Sequence, residues 1–317
     1  MAGIKALAKI WQNGSLVDWD AARVHVLSHG LHYGYSVFEG IRSFSTPRGP
    51  AVFRLDEHLE RFVNSARIYR MALPYSAKEL RTACVDLLQA NGIAEAYLRP
   101  IAFSGYGQMG LDPSHCSIEV AIAAWEWGPY LGQQGVDHGV RATVSSWARI
   151  DSRSMPPQAK CAANYANGAL AKMEATAGGY DEAILLNSAG MVAEGPGENI
   201  FKVKNDIVST PPASSGILRG ITRDSVIQFV KEEGLTFHRS DFTREDLFTA
   251  DELFFAGTAV GITPIREIDG RPIGTGSYPI TRRLQVRYDD AIHGRSAQHA
   301  DWLTWTRGDL GAPPRAP

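Results

Sequence analysis

The sequence predicts an α/β fold of the α+β type built as two domains, and three observations carry that expectation. At 317 residues the chain is longer than one hydrophobic core usually organises, which by itself suggests two domains or one large one. Short β-branched and aromatic runs alternate with segments whose apolar residues recur every three or four positions. Between two such series lies a stretch punctuated by Pro129, Gly132 and Gly135, the composition of a connection between domains. The expected organisation is therefore a small α/β domain over 1–130, a loop over 131–138 and a larger domain over 139–317.

The elements follow in order. Lys9–Trp11 and Leu16–Trp19 flank Asn13-Gly14, a pair that tolerates positive φ, so the chain opens with a hairpin. From Asp56, the spacing of Leu59, Phe62, Ala66 and Tyr69 predicts a helix. Ser76 and Glu79 form a capping-box pattern ahead of Leu80, Cys84, Leu87 and Leu88, and Gly92 ends that second helix. Ala96–Phe103 and Ser117–Trp125 read as strands. In the second half the expectation is a strand at Gly139–Ser146 and a helix from about Asn164 to Ala177. Strand-like runs broken by turns at Asn187–Gly190 and Asn205-Asp206 follow, ending near Ser209. Helices are expected at Thr222–Glu233, Arg244–Thr249 and Ile280–His293, with a strand at Glu252–Phe255. The tail after Arg295 carries Pro313, Pro314 and Pro317 and is expected to fray at its end.

Composition narrows the function. With 44% hydrophobic and 21% charged residues and a net charge of −2, the chain is neither disordered nor suited to a polyanion, so no nucleic-acid partner is expected and the ligand should be small. Cys84, Cys116 and Cys161 form no CxxC pair, which fits a reducing compartment. The first residues lack an uninterrupted apolar run, and no later stretch approaches the ~20 residues that span a bilayer. Neither export nor a membrane anchor is expected, and the expected location is the cytoplasm.

Chemistry concentrates in four segments. Lys160 sits in MPPQAKCAANY among apolar neighbours, which disfavour the ammonium and favour a nucleophilic amine able to form a Schiff base. Standing alone it would pass as a lysine snorkelling to water. Glu194 begins EGPGEN, where glycines let the backbone pass close to a flat ring, although an isolated acid there would read as part of a turn. Gly220-Ile221-Thr222 opens an amphipathic helix whose first amides and dipole favour an anion; Thr222 by itself would be an ordinary N-cap. AGTA at 256–259 is the fourth. Two other patterns mislead. Gly105-x-Gly107-x-x-Gly110 matches a dinucleotide-binding fingerprint but runs into Leu111-Asp112-Pro113 where a helix should start. His25, His29 and His32 are punctuated by Gly30 and Gly34 and lack an acidic or thiol companion, so no metal is expected.

Across nearly its full length the chain resembles the branched-chain amino-acid aminotransferases, fold-type-IV pyridoxal 5'-phosphate (PLP) enzymes, in their bacterial long form. The resemblance rests on HYGYSVFEGIR at 32–42, FRLDEHLERF at 53–62, YLRP at 97–100, WGPYLG at 127–132, VSSWAR at 144–149 and the four segments above. It implies a small α/β domain with a larger pseudo-barrel domain, and PLP as cofactor. Lys160 would hold the cofactor aldehyde and act as the proton-transferring base. Glu194 would face the pyridine nitrogen, Tyr165 the phenolic oxygen, and Arg61, Ile221, Thr222 and Thr258 the phosphate. Tyr33, Phe38, Met109, Leu111 and Tyr130 would line the side-chain pocket, some of them from a partner subunit of a homo-oligomer. Arg99, with the Thr258-Ala259 amides, would take carboxylates. The implied reaction exchanges L-leucine, L-isoleucine or L-valine with 2-oxoglutarate, giving 2-oxo acids and L-glutamate by a ping-pong course.

One departure bears on substrate range. SSWARIDSRSMPPQAKCAANYANG differs from the SSWRRAAPNTIPPAAKAGGNY-like wording of many bacterial members, while keeping Lys160 and Tyr165. An unusual aliphatic or aromatic L-amino acid stays open as substrate. A D-amino-acid aminotransferase and an aminodeoxychorismate lyase share the fold, as does a carrier without turnover; FEGIR, YLRP and WGPYLG favour the branched-chain reading.

Overall fold

A computed structural model describes residues 4–128 and 130–306. The chain forms two compact units. The first contains residues 4–127, 159–162 and 289–306; the second contains 128–158 and 163–288, within the described residues.

The first unit is organised on an eight-stranded sheet. Its strand order is Leu303–Trp305, Ala51–Phe53, Ile41–Phe44, Ala96–Ser104, Ile118–Trp125, Lys9–Gln12 and Ser15–Asp18, with Ser36–Phe38 also pairing with Ala96–Ser104. All its pairings are antiparallel. The opening hairpin forms as expected, with Asn13 at φ 47° and Gly14 at φ 92°. Helices Leu55–Ile68 and Ala77–Asn91 supply Leu59, Phe62, Leu80, Cys84, Leu87 and Leu88 to the core, each at most 1% exposed. The capping box of Ser76 and Glu79 is made in both directions, and Gly92 closes the helix in the left-handed region.

The second unit carries a nine-stranded sheet. The order is Val192–Glu194, Glu182–Leu186, Val140–Val144, Gly261–Ile268, Glu252–Gly257, Asn199–Lys204, Ile207–Thr210 and Thr236–Arg239, with Arg271–Pro272 beside Gly261–Ile268. Val140–Val144 runs parallel to both its neighbours, and Ile207–Thr210 parallel to Thr236–Arg239. Ile184, Ile200, Leu253, Phe255 and Ile265 pack in its core. Helix Ala162–Ala177 uses small residues to pack closely: Ala171 and Ala175 meet Ala183 and Leu185 of the sheet. A Cβ on Gly168 would lie 2.7 Å from the Pro196 carbonyl oxygen, so this helix approaches the EGPGEN loop where only glycine fits.

Several expectations need correction. Gly132–His138 is a helix, where the glycines suggested only loop. Residues 159–162 and 289–306 belong to the first unit although they lie beyond the expected boundary. The segment after Arg295 forms a 3-10 turn over Ala297–Trp302 and a strand at Leu303–Trp305; the proline-bearing end lies outside the described residues. Strand Gly261–Ile268 was not expected, because Pro264 interrupts its β pattern. The loop bearing Gly105, Gly107 and Gly110 leads into strand Ile118–Trp125, not into a helix, so it lacks the helix N-terminus that dinucleotide phosphates need. The histidines nearby serve that loop: His29 Nε2 lies 2.7 Å from the Gly110 oxygen, and the His25 ring meets Tyr106.

Candidate active site

Lys160 is placed by backbone pairing to the first unit. The Phe38 amide donates to the Lys160 carbonyl at 3.0 Å, and Val37 and Cys161 form an antiparallel bridge. The Lys160 amide donates to Ser65 Oγ at 3.0 Å, which ties the segment to helix Leu55–Ile68. Its amine lies 5.1 Å from the Phe38 ring centre. Burial, then the Arg61 charge, pushes the Lys160 ammonium down to about 8, with Glu39 opposing. At pH 7.5 roughly a quarter of such an amine is free, against about one part in a thousand for an unperturbed lysine.

Glu39 is the fully buried anion of this group. Its carboxylate accepts from Arg61 Nε and Nη2 at 2.7 and 2.8 Å, and from His58 Nδ1 at 2.7 Å. Burial alone would raise the Glu39 carboxyl, but Arg61 and His58 overcome it and hold the group well below the carboxylate range. For His58 burial dominates instead and lowers the imidazole, despite Glu39. His58 and Arg61 stand one helical turn apart, which brings both to the same carboxylate.

Arg99 lies on the same unit, 4.7 Å from the Phe38 ring centre. The Lys160 amine and the Arg99 guanidinium thus both lie close to the Phe38 ring. Tyr33, Met109 and Leu111 are instead exposed, Leu111 by 85%.

The acid segment belongs to the second unit. Glu194 ends strand Val192–Glu194 and is 4% exposed. Arg149 Nε donates to its Oε1 and Asn199 Nδ2 to its Oε2, both at 2.9 Å, and the Leu218 amide lies 3.1 Å from each oxygen. Glu198, the other acid of EGPGEN, differs. It lacks a cationic contact at its Oε1, and burial, reinforced by Glu182, pushes it well above the usual range. Glu194 is therefore the EGPGEN acid whose carboxylate is met by both a guanidinium and neutral donors.

Helix Ile221–Glu232 starts at Gly220 without a side-chain cap, and Thr222 is buried behind that start. Gly220 has no room for a Cβ because Asn199 Oδ1 would meet it, so the acid's amide partner and the helix start are packed together. Thr258 and Ala259 form the turn between strands Glu252–Gly257 and Gly261–Ile268. The Tyr130 amide donates to the Ala259 carbonyl at 3.2 Å. Burial pushes the Tyr130 phenol up to about 12. Tyr165 stands in the first turn of helix Ala162–Ala177, half-buried.

Sequence reasoning missed Glu39, His58, Arg149 and Asn199. The available signal for the first two was the three-residue spacing of His58 and Arg61 on a helix face that also carries apolar residues.

Comparison with known proteins agrees with this chemistry. The family amino-transferase class IV matches residues 36–268. A branched-chain-amino-acid aminotransferase of Pseudomonas aeruginosa is 43% identical over 93% of this chain and 96% of its own. A crystal structure of the Escherichia coli branched-chain amino acid aminotransferase superposes with a TM-score of 0.93 at 43% identity, covering 95% of this chain and 100% of that one. The branched-chain amino acid aminotransferase from Thermobaculum terrenum, in its PLP holo-form, gives 0.89 at 34% identity, covering 94% of this chain and 98% of its own. The chain belongs to the class IV aminotransferases and, within them, to the branched-chain-amino-acid aminotransferase family.

Proposed function

We propose that this protein exchanges the amino group of L-leucine, L-isoleucine and L-valine with 2-oxoglutarate, using PLP. The observation that carries the reading is the arrangement around Phe38: the Lys160 amine at 5.1 Å and the Arg99 guanidinium at 4.7 Å from the centre of one apolar ring. An apolar surface beside the reacting amine suits a branched side chain. The guanidinium within reach of the same ring suits the second carboxylate of glutamate.

The residues present fit the cofactor. A lysine with its ammonium pushed down to about 8, a buried acid held by four donor contacts and a helix start lacking a side-chain cap are the features its aldehyde, ring nitrogen and phosphate require. Bound PLP would supply an electron sink for the carbanion left when the substrate loses its α-proton. Lys160 would hold the aldehyde carbon and carry the proton between the substrate α-carbon and the cofactor C4′. Glu194 would keep the ring nitrogen protonated, with Arg149 and Asn199 holding its carboxylate in place. Tyr165 would hydrogen-bond the phenolic oxygen. Ile221, Thr222, Thr258 and Arg61 would donate to the phosphate, as the family resemblance implies. The Thr258-Ala259 amides would take the α-carboxylate, and Tyr130 would border the side chain.

A homo-oligomer is part of this reading. Val24, Val26, Leu31, Tyr106 and Leu111 are each more than half exposed, and the His25–Tyr106 and His29–Gly110 contacts set their two segments side by side. A second copy covering this face would add Tyr33, Met109 and Leu111 to a side-chain pocket. No described helix is long and apolar enough to cross a membrane. Cys84, Cys116 and Cys161 are free thiols, which suits a reducing cytoplasm.

The test is the visible spectrum of the PLP-loaded protein titrated with L-leucine in the absence of a 2-oxo acid. The expected result is replacement of the lysine-bound cofactor band by the pyridoxamine band, reversed by 2-oxoglutarate. A band that D-leucine moves and L-leucine does not would defeat the reading.

A further inference from the structure

Arg99 is held by an aromatic wall that the reaction chemistry does not by itself require. Strands Ala96–Ser104 and Ile118–Trp125 pair with Tyr97 opposite Trp125 and Arg99 opposite Ala123. On one face of a sheet, residues two apart point the same way, so Tyr97, Arg99 and Trp125 share a surface. The small Ala123 opposite Arg99 leaves its long side chain room to lie across the neighbouring rings. The guanidinium is 5.4 Å from the Tyr97 ring centre and 5.7 Å from that of Trp125, in addition to its contact with Phe38. The wall is itself braced. Tyr97 packs 5.1 Å from Trp125 and edge-on to Trp127 at 4.7 Å, and the Trp127 carbonyl accepts from Arg42 Nη2 at 3.0 Å. Gly40 leaves the space that the Tyr97 hydroxyl fills.

This packing has a chemical consequence. Aromatic contacts use the faces of a guanidinium, whereas its N–H donors lie in the plane and point outward. An arginine whose faces meet rings therefore keeps its fork available to a carboxylate. Arg99 Nε is buried and has no hydrogen-bond partner in the structure, so one donor of the group is left unsatisfied.

We propose that Trp125 is a specificity-determining positioning residue, which with Tyr97 holds Arg99 flat and open to the distal carboxylate of a five-carbon dicarboxylic substrate. Trp125 acts through Arg99 alone, so it favours the acidic amino-group partner and is indifferent to the branched-chain one. The inference rests on the carboxylate-binding role given to Arg99 in the proposed function.

The experiment compares wild type, Trp125→Ala and Trp125→Phe as PLP-loaded proteins. Calorimetry measures binding of two unreactive ligands, glutarate and 4-methylvalerate, and single half-reactions measure KM and kcat for L-glutamate and L-leucine. Expected for Trp125→Ala is a loss of roughly tenfold in glutarate affinity and a similar rise in KM for L-glutamate. Its kcat, its KM for L-leucine and its 4-methylvalerate affinity should stay within about twofold of wild type, while Trp125→Phe, which keeps a ring, should restore most of the loss. Equal losses for both ligands, or no loss for either, would overturn the proposal. So would a wild-type protein that binds no glutarate. Failure of the function itself reads differently: L-leucine leaves the wild-type spectrum unmoved while glutarate binding still depends on Trp125.

Discussion

Lys160 in the first unit and Glu194 in the second are the two residues on which the proposed function turns, yet they are secured by opposite means. Around Lys160 the Arg61 and Arg99 charges oppose the ammonium, and Glu39 is the carboxylate that favours it. Around Glu194 the Arg149 guanidinium is backed by neutral donors from Asn199 and the Leu218 amide, and the Arg223 charge is also felt there. The first arrangement depends on a single anion; the second divides the task among several donors. A charge neutralised by one partner is costly to strip, whereas one solvated by several dipoles degrades gradually.

Glu39→Gln should therefore have the largest effect. It leaves Arg61 facing a neutral amide in a buried place, at a cost of about 3–5 kcal/mol, read by urea unfolding at pH 7. The sign with pH follows from the lowered Glu39 carboxyl. Its stabilisation is complete above its unfolded value, near 4.5, and declines as pH falls toward the folded value, so the gap between wild type and variant should narrow below about pH 4. A gap that is constant from pH 7 to pH 3 would remove Glu39 from the centre of the contrast.

Lys160→Met in the cofactor-free protein should act in the other direction. Because the folded ammonium is lowered to about 8 from 10.5, wild type bears a penalty that is full below pH 8 and vanishes as pH rises through 10.5. The variant should be more stable by about 1–3 kcal/mol at pH 7 and equal to wild type near pH 10.5, in melts across that range. Equal stability at every pH would mean that the amine bears no such burden.

Arg149→Gln should be the mildest of the three, since Glu194 keeps its amide donors. The expected loss is about 1–2 kcal/mol with PLP retained more weakly, measured by unfolding and by dialysis against buffer without cofactor. A loss equal to that of Glu39→Gln would break the distinction between the two units.

The parts of the fold legible in the sequence were those written locally. The Ser76/Glu79 box, the Asn13-Gly14 hairpin and helix Ile221–Glu232 each lie within about a dozen residues, and periodicity places them to within a residue or two. Strand Gly261–Ile268 was hidden because its parallel partner Val140–Val144 is over a hundred residues away and Pro264 breaks the pattern. Helix Gly132–His138 was hidden by its glycines. Gly135 is there because a Cβ would come within 2.9 Å of Val140 Cγ1, a tertiary demand that local composition reports as a loop. At the site, Lys160 and Glu194 could be singled out from neighbouring residues, but the partners that set their charge could not. Glu39 comes 19 residues before His58, and Arg149 stands 45 before Glu194.

The first unit also sets a timetable for synthesis. Strand Leu303–Trp305 completes the sheet by pairing with Ala51–Phe53, whose other edge is taken by Ile41–Phe44. Some 250 residues separate those two strands. At about 5–20 residues per second a ribosome needs roughly 12–50 seconds to deliver the missing strand. Throughout that interval the nascent chain presents an open β edge at Ala51–Phe53, and a folding helper would have its longest opportunity there.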